Sequence, residues 1–382
     1  MSLLLIGLDG ASWSFIDPLL TRGALPNLDR LIREGVRAPL RTLSPSLSPA
    51  LWTSMVTGKP PAVHGIEDFY TRDTEGRSGL ASSQARKTEA LWTILSRSGR
   101  RVGFVGWWVT WPAEQVDGYM VSELFLRPNH ERLEQGTYPI ALAAELDAAI
   151  PADWPWLKQV LDSGQLKLIS DRPPGQRMSS EQRMREARFF YDQDHRGEQA
   201  ALYLLAHRSR PDLLGFTSRK VDLASHYMWN VLSADRGPEA MSRVLEPVYR
   251  YEDDLVGRLI AAAGPAVHVL VVSDHGFERV GEGYDHKEGA PDGIFVARGP
   301  LFRRGAALGE VSVYDVAPTV LHVLGLPVAR DMEGRVPEAA LAGGAPVRWV
   351  ATYETGRRAA KGARSPLEEE VREQLRALGY IR

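Results

Sequence analysis

The chain has no cysteine, which excludes disulfide bridges, thiolate metal ligands and cysteine nucleophiles. It also lacks an excess of either charge: 46 basic side chains stand against 48 acidic ones, a formal net charge of -2. No global positive field therefore argues for a nucleic-acid polymer as partner. No apolar run approaches the roughly 20 residues of a membrane span. The opening stretch MSLLLIG carries no basic leader and soon reaches Asp9, so the reading is a cytoplasmic chain. No internal repeat is visible. What remains is 382 residues with 44% hydrophobic content, enough for a sizeable core, and 25 prolines with 35 glycines to shape its loops.

Apolar runs and helical periods alternate along most of the chain. Ser2–Leu8, Val36–Leu43, Val102–Gly106, Leu213–Thr217, Val267–Ser273 and Gly293–Ala297 read as short strands. Pro26–Arg33, Ala50–Val56, Thr88–Ser98, Asp222–Leu232, Pro247–Ala263 and Tyr314–Leu324 read as helices. That alternation predicts an α/β fold with a mostly parallel central sheet between helical layers. From 121 to 210 the pattern changes: prolines interrupt it, aromatics gather at Trp154 and Trp156, and Ser179–Arg208 is charged and amphipathic. The expected organisation is a catalytic domain formed by 1–120 and 211–382, with 121–210 inserted as a cap. Leu367–Leu378 reads as a charged surface helix.

Four segments combine an apolar anchor with oxygen or nitrogen donors: LLLIGLDG, SPSLSPALWTSMVTG, DLASH and VVSDHGFERVGEGYDH. Asp9 and Asp274 each follow a predicted strand, at the sheet edge where open α/β folds bind ligands. Either suits a loop cap when taken alone; two close carboxylates are most easily stabilised by a cation. His275 adjoins the second. Asp222 and His226 lie four apart on a predicted helix and share one face, an oxygen–nitrogen clamp for one ion. His286, in a glycine-rich stretch, completes a second ligand set. Ser48 precedes Pro49 at a predicted helix start, where serine serves as N-cap and where a hydroxyl also meets the N–H groups that welcome phosphate. Ser44 and Ser46 stand farther from that start. Together these residues suit two divalent ions and a serine nucleophile. Zinc fits the donor mix best, with manganese the alternative.

Around this set, His64 fits a turn that supports the site from behind. Trp107, Trp108 and Trp111 suit core and pocket wall equally. Arg219 and Lys220 stand just before Asp222, placed either for a phosphate's outer oxygens or for solvent. His130, His195 and His207 read as surface residues, His268 and His322 as packed ones.

With those motifs in view, the chain resembles the alkaline phosphatase superfamily, most closely its type I phosphodiesterase/nucleotide pyrophosphatase branch. The resemblance covers Leu3–Gly65 and Leu213–Gly334. It implies a three-layer sandwich and hydrolysis of a small phosphate ester through a phosphoserine, with the tryptophans favouring a diester and a phosphomonoesterase or phosphomutase as the alternative. One ion would be held by Asp9, Asp274, His275 and Ser48, the other by Asp222, His226 and His286. That branch usually has threonine at the position of Ser48, followed by an aromatic-proline-asparagine run; Pro49, Ala50 and Leu51 stand here instead. The sulfatase pattern C/S-x-P-x-R is absent, and phosphoglycerate mutases of the superfamily carry a larger inserted domain.

Overall fold

The computed structural model describes residues 2–72, 76, 78–127, 130–150, 180–228, 238–280, 283–285, 289–343, 346–356 and 365–377. Its main sheet contains β1 (Leu3–Leu8), β2 (Gly35–Arg41), β3 (Val102–Val105), β4 (Gly118–Val121), β5 (Thr137–Tyr138), β6 (Leu213–Ser218), β7 (His268–Val272) and β8 (Gly293–Arg298). Their order is β2-β8-β7-β1-β6-β3-β4-β5, with two short strands beside β2. β1 pairs in parallel with both β6 and β7, and β3 in parallel with β6 and β4. Among these eight, β8 and β5 run against their neighbours.

Every residue of β1 is buried, as a central parallel strand covered on both faces requires. Alternation divides its side chains between two cores. Leu4, Ile6 and Leu8 join Ala201 and Leu204 of the Ser180–His207 helix and Leu255 and Leu259 of the Pro238–Ala263 helix. Leu3 and Leu5 join Leu51 and Met55 of the Ser48–Thr57 helix and Val320 of the Val316–Val323 helix. Full burial of each such side chain contributes about 1.5–3 kcal/mol. The result is the expected layered α/β sandwich with a mostly parallel sheet.

Several elements depart from the sequence reading. The Trp13–Thr21 helix was not anticipated, and the Pro238–Ala263 helix starts well before Pro247, which lies inside it. The helix expected from Asp222 is a short α turn, Lys220–Leu223, followed by a π turn at Ala224–Met228. The described parts of 121–210 are built into the layers: β4–β5 extends the sheet, and the long helix packs on β6 and β3. Trp154 and Trp156 lie outside the described residues.

Candidate active site

The site is assembled by three strands that end level. Leu8 pairs with Ser218 and Gly7 with Val272, so the loops after β1, β6 and β7 emerge side by side. The Asp222 amide donates to the Asp9 carbonyl at 3.1 Å, joining two of those loops. Gly10 permits the approach: its φ is +77°, and a Cβ there would lie 3.0 Å from the Asp222 Cα and 2.8 Å from the Phe277 ring.

Ligand atoms of Asp9, Asp274 and His275 all fall within 4.8 Å of one another, and all three residues are buried. His275 Nε2 lies 3.5 Å from Asp9 Oδ1, 3.4 Å from Asp274 Oδ2 and 4.0 Å from Asp222 Oδ1. Asp222 Oδ1 is in turn 3.5 Å from His226 Nε2. The predicted carboxylates therefore converge, with His275 and His226 beside them. Phe277 packs edge-on against both imidazoles. His226 stands within the π turn, a local irregularity often found at functional sites. His286 lies outside the described residues.

The electrostatics of this cluster call for a cation. His275 Nδ1 donates to the Gly276 carbonyl at 3.0 Å, and burial drives the ring's pKa down to about 3 despite that bond. The ring is neutral, so the Nε2 lone pair faces carboxylate oxygens. Asp9 Oδ1 and Asp274 Oδ2 accept no hydrogen bond among the described residues. Burial, then Asp274 and Asp222, hold the Asp9 carboxyl well above the usual carboxylate range; burial and Asp222 raise Asp274 to about 7. A divalent ion among these atoms converts the mutual repulsion into ligation. The donor set fits a metal.

The other Asp9 oxygen is fully engaged. Its Oδ2 accepts from Trp52 Nε1 at 3.2 Å and Trp108 Nε1 at 3.0 Å. Gly7 makes room for the first indole, since a Cβ there would sit 2.6 Å from the Trp52 ring. Trp52 comes one helical turn after Ser48 and therefore shares its face. Ser48 is buried, and Pro49 lines a pocket together with Asp222 and Trp108. The helix begins at Ser48 itself, with Leu47 in the N-cap position and no side-chain cap bond. The expected capping role is thus corrected: Ala50 and Leu51 donate to the Leu47 carbonyl, leaving the Ser48 hydroxyl no capping duty.

Other expectations divide. His64 is buried; its Nδ1 accepts from the Ile66 amide at 3.2 Å and its Nε2 meets Ser54 Oγ at 3.0 Å. It thus braces the helix carrying Ser48 and Trp52. Trp107 is core: it is fully buried, donates to the Trp52 carbonyl and packs edge-on against Trp52 and Phe104. Its neighbour Trp108 is the pocket wall. Lys220 is not a phosphate contact, because it is 0% exposed and lies 3.6–3.8 Å from the carboxylates of Asp194, Glu198 and Glu252. Arg219 pairs with Asp194 at 3.2 Å, covers the Trp108 face and reaches the pocket. His195 is buried against Glu198 rather than on the surface. The sequence reading missed Trp52, although its four-residue spacing from Ser48 was a usable signal. It also missed Val371, Gln374 and Leu375, which wall the pocket.

The family model for type I phosphodiesterase / nucleotide pyrophosphatase matches residues 3–311. A comparison with curated proteins finds no match. Among solved structures, human ectonucleotide pyrophosphatase / phosphodiesterase 5 is 13% identical with a TM-score of 0.57, covering 90% of this chain and 100% of that one. The murine protein is 13% identical with a TM-score of 0.56 and the same coverage. An inactive form of the murine protein in complex with AMP is 14% identical with a TM-score of 0.53, covering 85% of this chain and 95% of that one. At these identities the likeness is one of fold.

Proposed function

This chain belongs to the type I phosphodiesterase/nucleotide pyrophosphatase family and is a phosphoric ester hydrolase; from that premise we propose that it cleaves phosphodiesters at a two-metal centre through a phosphoserine on Ser48. The observation that carries this reading is the convergence of Asp9 Oδ1, Asp274 Oδ2 and His275 Nε2 on one buried point. Asp9, Asp274, His275 and Ser48 would hold one ion; Asp222, His226 and His286 would hold the other. Zinc suits the imidazole share of this set, with manganese as the alternative. When bound, such ions lower the pKa of a ligated hydroxyl and neutralise charge gathering on the phosphoryl oxygens.

The chain's own groups do the rest. Ser48, at the N-terminus of its helix, attacks phosphorus in line, and the positive end of the helix dipole favours the anion. The leaving alkoxide departs opposite Ser48, and water then releases the phosphoryl group from the serine. Trp52 and Trp108 hold the Asp9 carboxylate in one orientation throughout. The apolar face of Trp108 and the pocket beyond it favour a diester, whose second substituent needs such a wall. AMP, the ligand of the murine relative, is one phosphate compound of compatible charge.

The test is turnover of an aryl phosphodiester, the aryl monoester and the aryl sulfate by metal-loaded protein, with mass spectrometry of acid-quenched enzyme. The expected result is preference for the diester and a phosphoryl group on Ser48. Ser48→Ala should fold normally, since no cap bond is lost, and lose the covalent species. A phosphoryl group on Ser46, or equal activity in S48A, overturns the assignment.

A further inference from the structure

The pocket beside Asp222 is lined by Pro49 and Asp222, by Trp108 and Leu223, and by Val371 and Leu375 of the Glu368–Ala377 helix. Pro49 and Asp222 adjoin Ser48 and the carboxylate cluster, and we take them as its near end and the Glu368–Ala377 helix as its far wall. This helix is docked. Leu375 is buried and packs with Phe69 and Leu80, while Arg132 binds Glu370 and the Pro366 carbonyl, and Arg372 binds the Tyr70 hydroxyl. It lies beyond the 3–311 stretch matched by the family, so the far wall is a feature of this chain outside the matched catalytic region.

Most polar groups on the lining are committed to protein partners. Arg219 is held by Asp194, and the Glu123 carboxylate accepts from the Thr110 amide and hydroxyl. Gln193 differs. Its Nε2 donates to the Glu123 carbonyl at 2.9 Å, which fixes the amide's orientation. Its buried Oε1 accepts no hydrogen bond among the described residues, and neither does Gln374 Oε1 on the same lining. A buried acceptor left unmade is costly, and a ligand N–H or O–H recovers that cost. Such a pocket selects by apolar contact along its length and by one donor.

We propose that this pocket receives the second ester group of the substrate, that the group is an alkyl or aryl chain bearing a hydrogen-bond donor, and that the C-terminal helix sets its specificity. The inference rests on the phosphodiesterase reading of the adjoining centre. Phosphorus at the near end leaves one ester oxygen directed along the pocket; Val371 and Leu375 meet the chain, and Gln193 takes the donor.

The experiment uses metal-loaded full-length protein and p-nitrophenyl phosphodiesters whose second ester is methyl, hexyl or hexyl ending in a hydroxyl. The hexyl ester should exceed the methyl ester in kcat/KM by about tenfold or more, mostly through KM, and the terminal hydroxyl should add to that. Leu375→Trp, which fills the far end, should lower the hexyl-to-methyl ratio by about tenfold; Val371→Ala, a milder change, should lower it less. Gln193→Leu should erase the hydroxyl's advantage and keep that of the chain. Equal kcat/KM for methyl and hexyl esters, or a Leu375→Trp loss equal for both, overturns the proposal. Calorimetric binding of hexylphosphonate against methylphosphonate separates the two readings. Tighter hexylphosphonate binding without diester turnover upholds the pocket and sinks the phosphodiesterase; turnover without chain preference does the reverse. Absence of both sinks both.

Discussion

Two clusters of buried charge flank the exit of β6, and they are balanced in opposite ways. On one side Lys220, Arg219 and Arg258 face Asp194, Glu198 and Glu252, three cations against three carboxylates. Ser218 adds hydrogen bonds to Asp194 and Glu252, and Tyr251 one to Glu198. On the other side Asp9, Asp222 and Asp274 gather around neutral His275, and no Lys or Arg among the described residues pairs with Asp9 or Asp274. Apart from the half-exposed Arg258, both groups are buried. The first closes on itself and stiffens the turn that presents Asp222; the second gathers carboxylates whose charge a bound cation would balance. Burial alone therefore does not mark a functional charge. The sum of the charges does.

Breaking the balanced cluster should give the largest effect on stability. Asp194→Ala strands Arg219, removes one of three carboxylates around Lys220 and should cost about 3–5 kcal/mol, read by denaturant unfolding and equal with or without metal. If the loss vanishes on metal removal, the two clusters are not independent.

The unbalanced cluster should respond with opposite signs to one change. Asp274→Asn should reduce metal affinity and turnover by more than the roughly 100-fold typical of an outer-shell partner, while stabilising the metal-free protein by about 1–3 kcal/mol above neutral pH. The sign follows from the raised pKa. A carboxyl titrating at about 7 when folded, against 3.8 for a free aspartate, holds its proton longer in the folded state, so metal-free stability falls as pH rises across that window. Metal titration, turnover and thermal unfolding of the same preparations check all three. A destabilised metal-free variant sinks the comparison.

The smallest effect concerns His64. Burial and Arg86 lower its pKa to about 3 from 6.5, so the unfolded chain takes up a proton that the folded chain refuses. Its contribution is present above pH 6.5 and lost as pH falls towards 3. His64→Gln should flatten stability across that interval relative to wild type, as measured by unfolding at a series of pH values.

The sequence disclosed the strands and the residues at their ends because a buried parallel strand is an uninterrupted apolar run, and a polar residue closing such a run is conspicuous. Asp9 and Asp274-His275 were legible for that reason. Adjacent pairs were not. Trp107 and Trp108 are the same residue type one position apart, yet one is core and the other pocket wall; Arg219 and Lys220 divide similarly. A single step reverses direction, and the loop geometry that decides which residue points where is tertiary. The C-terminal helix misled through its charge: EEEVREQLRA reads as solvated. Its narrow stripe of Leu367, Val371 and Leu375, spaced by four, was the signal of a docked face. The Asp194 cluster was illegible because its members come from three distant segments.

The double grip of Trp52 and Trp108 on one oxygen of Asp9 has a consequence for ion choice in a mixed environment. A carboxylate pinned in this way cannot swing to present both oxygens together, so Asp9 is a single-toothed ligand by construction. Calcium builds its large coordination shell from oxygens, often taken in pairs from one carboxylate. Here it would meet one oxygen from Asp9 and a ring nitrogen from His275. With a metal bound, the indoles would therefore favour an ion content with few, directional donors over calcium.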